Sequence, residues 1–266
     1  MQNGKLVHIS EVPQGSKCGC ICPCCEAPLL ARKGGTRVDH FAHKKGAECA
    51  ASVETALHLA AKQILEEQRE IALPAVQITF DSYRPPIPIS PPRIFALDEV
   101  HAEKRTGNIV PDILAYSNGV QLLIEVRVTH EIDETKEAKI RSLGISAIEI
   151  DLSSFDRNFT RAELTTAVVR QHDNRKWVFN AKASKYQERL LASGLVIKTV
   201  NRGGAVHADG CPIAKREWRG KAYANVTDDC LVCDHNLSVG ENSNFVICGA
   251  NHTILNFDDL RKLLDQ

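Results

Sequence analysis

The stretch PDILAYSNGVQLLIEVRVTH, residues 111–130, holds the residue types best suited to chemistry. Its Asn-Gly pair separates two β-rich runs, residues 109–116 and 120–129, which is the strongest short-range signal for a two-residue hairpin. With Asn118 and Gly119 as the loop, Asp112 lies directly opposite Glu125. Facing residues share one side of a sheet, with Cβ atoms about 4.5–5.5 Å apart. Two carboxylates that close repel unless a cation lies between them, and a hard divalent ion such as Mg²⁺ fits the pair. Arg127, two residues beyond Glu125, falls on the same face. The competing reading is an ordinary half-buried hairpin with both acids facing solvent. Ile113, Leu122, Leu123 and Ile124 argue against it, because they describe a strand buried on both faces. An unpaired acid in such a strand is costly.

Cysteine chemistry marks both ends of the chain. Six of the ten cysteines lie between Cys18 and Cys49 and the other four between Cys211 and Cys248, so they define two separate modules. In a reducing compartment clustered cysteines indicate metal in preference to disulfides. Cys22 and Cys25 have knuckle spacing, suited to gripping a tetrahedral ion. If Gly34-Gly35 turns a hairpin joining residues 28–33 to 36–41, His43 returns beside Cys25 while His40 opposes Leu29 and points away. The expected zinc ligands are therefore Cys22, Cys25, His43 and Cys49, with Cys18, Cys20 and Cys24 surplus. In the second module Cys211, Cys230, Cys233 and Cys248 suggest a Cys₄ site, for which His207, His235 and His252 compete as fourth ligand. Both zinc ions would be structural, standing in for cores too small to fold alone. Lys215, Arg216, Arg219 and Lys221, with Trp218 and Tyr223, lie inside the second cysteine loop, where they form either a nucleic-acid contact or a solvated surface.

The elements that position these residues can be read from pattern. Residues 53–68 carry apolar side chains at Val53, Leu57, Ala60, Ala61, Ile64 and Leu65, a helical period, with Ser52 as N-cap. Glu54, His58 and Lys62 form one stripe of that helix. Strands follow at 76–80 and 94–100, joined by the proline-rich YRPPIPISPPR. Residues 133–143 read as a helix capped by Asp133 and stopped at Gly144, and ISAIEIDLS as a further strand. The predicted order is 1–50, an N-terminal zinc module; 51–172, an α/β core; 173–205, a helical spacer; and 206–266, a C-terminal zinc module.

Composition limits the function classes. Lys+Arg and Asp+Glu balance at 33 each, so binding to nucleic acid must come from local patches and not from bulk charge. No stretch approaches the roughly 20 apolar residues of a membrane span, and the N-terminus MQNGKLVHIS has no secretory pattern. A cytoplasmic protein with no membrane partner is expected.

In its motifs the chain resembles the competence-protein CoiA-like nucleases of the PD-(D/E)xK superfamily. The resemblance rests on the knuckle Cys22-Pro23-Cys24-Cys25, then His40-Phe41-Ala42-His43, then Glu54-Thr55-Ala56-Leu57-His58, then Pro111-Asp112 and Glu125-Val126-Arg127, in that order over residues 18–155. It implies a restriction-endonuclease-like mixed sheet with flanking helices, Glu54 as an acid supplied by the first helix, and Asp112 and Glu125 as ligands of Mg²⁺ or Mn²⁺. It also implies a nuclease, more naturally an endonuclease, acting on nucleic acid and on DNA in particular. One position departs from the pattern. Arg127 stands where the family has lysine; arginine is never deprotonated, so it cannot serve as a general base, but it can stabilise charge on a scissile phosphate. Lys136 in the next helix, or His130 as a proton shuttle, is expected to take that role. The rival expectation is a non-catalytic, zinc-stabilised nucleic-acid-binding protein whose nuclease core has decayed.

Overall fold

A computed structural model describes residues 1–35, 37–44, 49, 52–80, 83–156, 159–251 and 257–264. The chain divides into two compact units, one made of residues 1–74 and 92–179 and the other of 75–91 and 180–266. In chain order the first elements are β1 (Leu29–Arg32), β2 (His40–His43), α1 (Ser52–Gln68), β3 (Glu70–Leu73), β4 (Val76–Ile78), β5 (Ile87–Ser90), β6 (Arg93–Ala96) and β7 (Glu99–Ala102). Next come β8 (Ile113–Ser117), β9 (Val120–Arg127), α2 (Glu134–Leu143), β10 (Ala147–Asp151), α3 (Arg161–Val169) and β11 (Arg175–Phe179). The remainder is α4 (Ala181–Ser193), β12 (Leu195–Arg202), β13 (Ala205–Asp209), β14 (Arg216–Trp218), β15 (Lys221–Asn225), β16 (Asn236–Val239), β17 (Phe245–Cys248) and α5 (Phe257–Leu264).

The first unit is built on a mixed five-stranded sheet ordered β11-β10-β9-β8-β7, in which β9 and β10 run parallel and the other pairs antiparallel. Ile113, Ala115, Leu122, Ile124, Val126, Ile148 and Ile150 face a core shared with Leu57, Ala61, Ile64 and Leu65 of α1 and Leu164 and Val168 of α3. Leu114, Leu123 and Ala147 point the other way, onto Ile140 of α2. Strand β9 is thus buried on both faces, as its apolar run predicts. The α2 caps also match expectation: the Asp133 side chain accepts from the Lys136 N–H, and Gly144 takes the left-handed conformation at φ 67°.

Residues 173–205 are not a helical spacer. They contain β11, a strand of the central sheet, then α4 and β12. Pairing of β11 along β10 is non-local, and a short RKWVF run between helical patterns carries little periodicity of its own. The predicted 94–100 strand is two, β6 and β7, because the chain turns at Leu97-Asp98. In the second unit a six-stranded sheet is ordered β14-β15-β13-β12-β17-β16, and β4 pairs with β5.

Candidate metal centres and the acidic cleft

Asn118 and Gly119 both have positive φ, 49° and 76°, the primed geometry that matches the twist of the flanking strands. The turn sets the ladder from Ser117↔Val120 through Ile113↔Ile124, and one step further places Asp112 across from Glu125. Both acids line an open cleft together with His58, Arg127, His130, Lys136 and Glu149.

Each acid is held differently. Asp112 Oδ2 accepts from His58 Nε2 at 2.9 Å and from the Val126 N–H at 2.8 Å. Burial pushes the Asp112 carboxyl up, but the His58 hydrogen bond and charge, the Val126 N–H and Lys62 outweigh it and leave it below the usual carboxylate range. Glu125 is 4% exposed. Lys136 Nζ donates to its Oε2 at 2.7 Å, while Oε1 is buried without a hydrogen-bond partner. Burial and the neighbouring Asp112 carboxylate raise Glu125 to about 7, against the opposing pull of Lys136. The pair therefore holds one negative charge readily and resists the second until the pH reaches about 7. A buried carboxylate oxygen with no donor, facing a second carboxylate, is a donor set that suits a hard divalent ion.

The other predicted residues surround this pair. Lys136 reaches it from the first turn of α2, as the departure at Arg127 suggested. Arg127 lines the cleft but spends its guanidinium on Glu131 at 2.5 Å and Asp151 at 3.3 Å. Glu54 does not bond to the acid pair. It accepts from the Thr129 hydroxyl, which in turn lies 2.8 Å from His130 Nδ1. Sequence reading missed two members. Thr129 links Glu54 to His130, and nothing in its type announces that. Glu149 stands beside Glu125 in the parallel β9–β10 ladder and is 1% exposed; its Oε2 accepts from the Ile132 N–H at 3.2 Å and its Oε1 lies 3.2 Å from Lys176 Nζ. The signal was present, since a lone acid interrupts the apolar strand AIEI.

In the N-terminal module the ligand atoms of Cys22, Cys25, His43 and Cys49 all lie within 4.8 Å of one another, the set expected from spacing. Cys25 Sγ is 3.3 Å from His43 Nε2. Burial raises the Cys22 thiol, yet the Cys25 and Cys24 backbone N–H groups and the His43 ring bring it down to about 7, which favours the thiolate a zinc-type ion requires. The hairpin register differs from expectation. β1 and β2 pair through Leu29↔His43 and Arg32↔His40, and Gly34-Gly35 is not a two-residue turn, because neither glycine has positive φ. Packing of Ala31 and Phe41 into the module core sets the register, and a longer connection closes it, with Asp39 accepting from the Gly34 N–H. Cys18 and Cys20 are buried core thiols donating to backbone carbonyls, which accounts for two of the surplus cysteines; Cys24 is exposed.

In the second unit Cys211, Cys230, Cys233 and Cys248 line one pocket. Burial, then the charges of the other three cysteines, pushes Cys230 up to about 12. Their sulfurs are not gathered as tightly as the N-terminal set. His207 packs its ring on Tyr223, 5.5 Å between centroids, on the opposite side of the sheet from Ala208, which lines the pocket. It is therefore no competitor as a ligand, and His252 lies outside the described residues. No helix among the described residues is long and apolar enough to cross a membrane.

No curated protein and no solved structure is similar to the chain. Residues 7–52 match the family described as competence protein CoiA, N-terminal domain, a stretch that includes all four members of the Cys/His cluster. Over that stretch, and not beyond it, the chain carries a CoiA-type N-terminal domain.

Proposed function

We propose that this protein is a divalent-metal-dependent nuclease that hydrolyses phosphodiester bonds in nucleic acid, DNA above all, with a restriction-endonuclease-like core of the PD-(D/E)xK type. The observation that carries the reading is Glu125: buried, one oxygen on Lys136, the other without a partner, and set across the hairpin from Asp112. Asp112 and Glu125 would hold Mg²⁺ or Mn²⁺. When bound, that ion supplies charge to a scissile phosphate and acidifies a water. His58 and the Val126 N–H keep Asp112 ionised and fix its orientation. Lys136, the cation nearest Glu125, fills the place Arg127 has left, and His130, held through Thr129 to Glu54, is the group able to pass a proton at the rim. We further assign structural zinc to Cys22, Cys25, His43 and Cys49 and a second zinc to Cys211, Cys230, Cys233 and Cys248, and place the protein in the cytoplasm.

The ion pairing of Arg127 with Glu131 and Asp151 favours the second reading, a nucleic-acid-binding protein that has lost cleavage. Incubating the purified full chain with single- and double-stranded DNA and RNA in Mg²⁺ or Mn²⁺ separates the two. Divalent-dependent cleavage of any of these supports the nuclease; binding without cleavage supports the second reading.

A further inference from the structure

The second unit's sheet has two unlike faces, fixed by register. Ala208, Ala224, Ile197 and Val246 point into the core that holds Cys211 and Cys230. The pairs Trp218↔Lys221, Arg216↔Tyr223, Asp209↔Tyr223 and Val200↔His207 therefore put the alternate residues together on the other face. That face carries three rings, Trp218, Tyr223 and His207, interleaved with cations. Trp218 is 62% exposed, an unusual placement for so large an apolar group. Arg219 and Gly220, both at positive φ (50° and 70°), make the tight turn that projects it, and the Arg219 guanidinium stacks 4.5 Å over the indole.

Charge on this face is not symmetrical. Arg202 occupies Asp209 with two hydrogen bonds, and Arg216 is shared between Asp229 and Asp228. Those groups leave one acid in excess. Lys198, Arg219 and Lys221 form no ion pair among the described residues and leave the face cationic. One exposed ring, Trp218, with the half-buried Tyr223 and His207 beside it on the same sheet face and lysines without ion pairs along them, matches the requirements of unpaired nucleobases and their phosphates. A duplex, whose bases are already stacked on each other, offers the rings nothing.

We infer that the open face of β12–β15, centred on Trp218, Tyr223 and Lys221, is a binding surface for single-stranded nucleic acid. The inference goes beyond the nuclease reading and does not depend on it, so its test is run without Mg²⁺ or Mn²⁺. The chain has two tryptophans, and Trp177→Phe in the full-length protein leaves Trp218 as the reporter. Titration with an oligothymidylate of about a dozen nucleotides should quench Trp218 emission saturably. Trp218→Ala, at an exposed site, should weaken binding roughly tenfold or more, read by anisotropy of a labelled strand. Lys221→Ala should weaken it less and lower the salt dependence by about one phosphate contact. Unchanged emission at saturation, equal affinity of Trp218→Ala, duplex competing as well as single strand, or equal quenching by polyglutamate would each overturn the assignment.

Discussion

Replacing Glu125 with glutamine should stabilise the protein when Mg²⁺ and Mn²⁺ are absent, and the gain should depend on pH. Glu125 rises from 4.5 to about 7 because burial and Asp112 oppose its charge. A raised carboxyl holds its proton more tightly folded than unfolded, so between pH 4.5 and 7 the native state binds more protons. Stability of the parent therefore falls as pH rises through that window and levels off above it. A shift of this size corresponds to roughly 3 kcal/mol at pH 8, an upper bound, because the charge on Lys136 loses its partner in the variant. Glutamine keeps the shape, its carbonyl oxygen still accepts from Lys136, and it has no proton to lose. The urea midpoints of parent and Glu125→Gln should coincide near pH 4.5 and diverge steadily to pH 8, with the variant the more stable. Mn²⁺ should narrow the gap by stabilising the parent alone. Chelators have no place in this assay, since they would also strip the zinc-type sites. A difference that stays flat with pH, or a variant less stable at pH 8, would show that Glu125 is not destabilised by burial beside Asp112.

Other expectations follow from the same geometry. Lys136→Ala should abolish cleavage while calorimetry still detects Mn²⁺ binding, and Arg127→Lys should keep or raise the rate; normal cutting by Lys136→Ala would move the role to Arg127 or His130. Elemental analysis of protein purified without added metal should give two zinc ions per chain, with Cys25→Ser and Cys233→Ser each removing one; fewer than one in the parent would sink both sites. Gly119→Ala, which forces a side chain into φ 76°, should cost about 1 kcal/mol in urea unfolding and lower metal affinity with it, by loosening the register that opposes the acids. An unchanged midpoint would show that this turn does not set the register.

The hairpin was legible because its information is local: a two-residue turn fixes the ladder, and the ladder fixes which side chains meet. The α2 caps were legible for the same reason, and they fix the first turn from which Lys136 reaches Glu125. What sequence could not provide depended on distant partners. β11 joins the sheet only by pairing with β10, Glu149 matters only because the parallel crossover brings it beside Glu125, and the β1–β2 register answers to core packing at Ala31 and Phe41 more than to the Gly34-Gly35 pair. The grouping of Cys22, Cys25, His43 and Cys49 was nonetheless legible, since His43 reaches Cys25 in either register. The open face of the second sheet is a similar case: its residues were visible as a basic, aromatic stretch, but only the β13–β15 register puts them on one side.

Whether Asp112 and Glu125 together hold a catalytic divalent ion is decided by the Mn²⁺-dependent cleavage rate of Asp112→Asn and Glu125→Gln beside the parent. Both variants should be folded, retain their zinc and be inactive against a substrate the parent cuts. Cleavage at the parental rate by both would contradict that role.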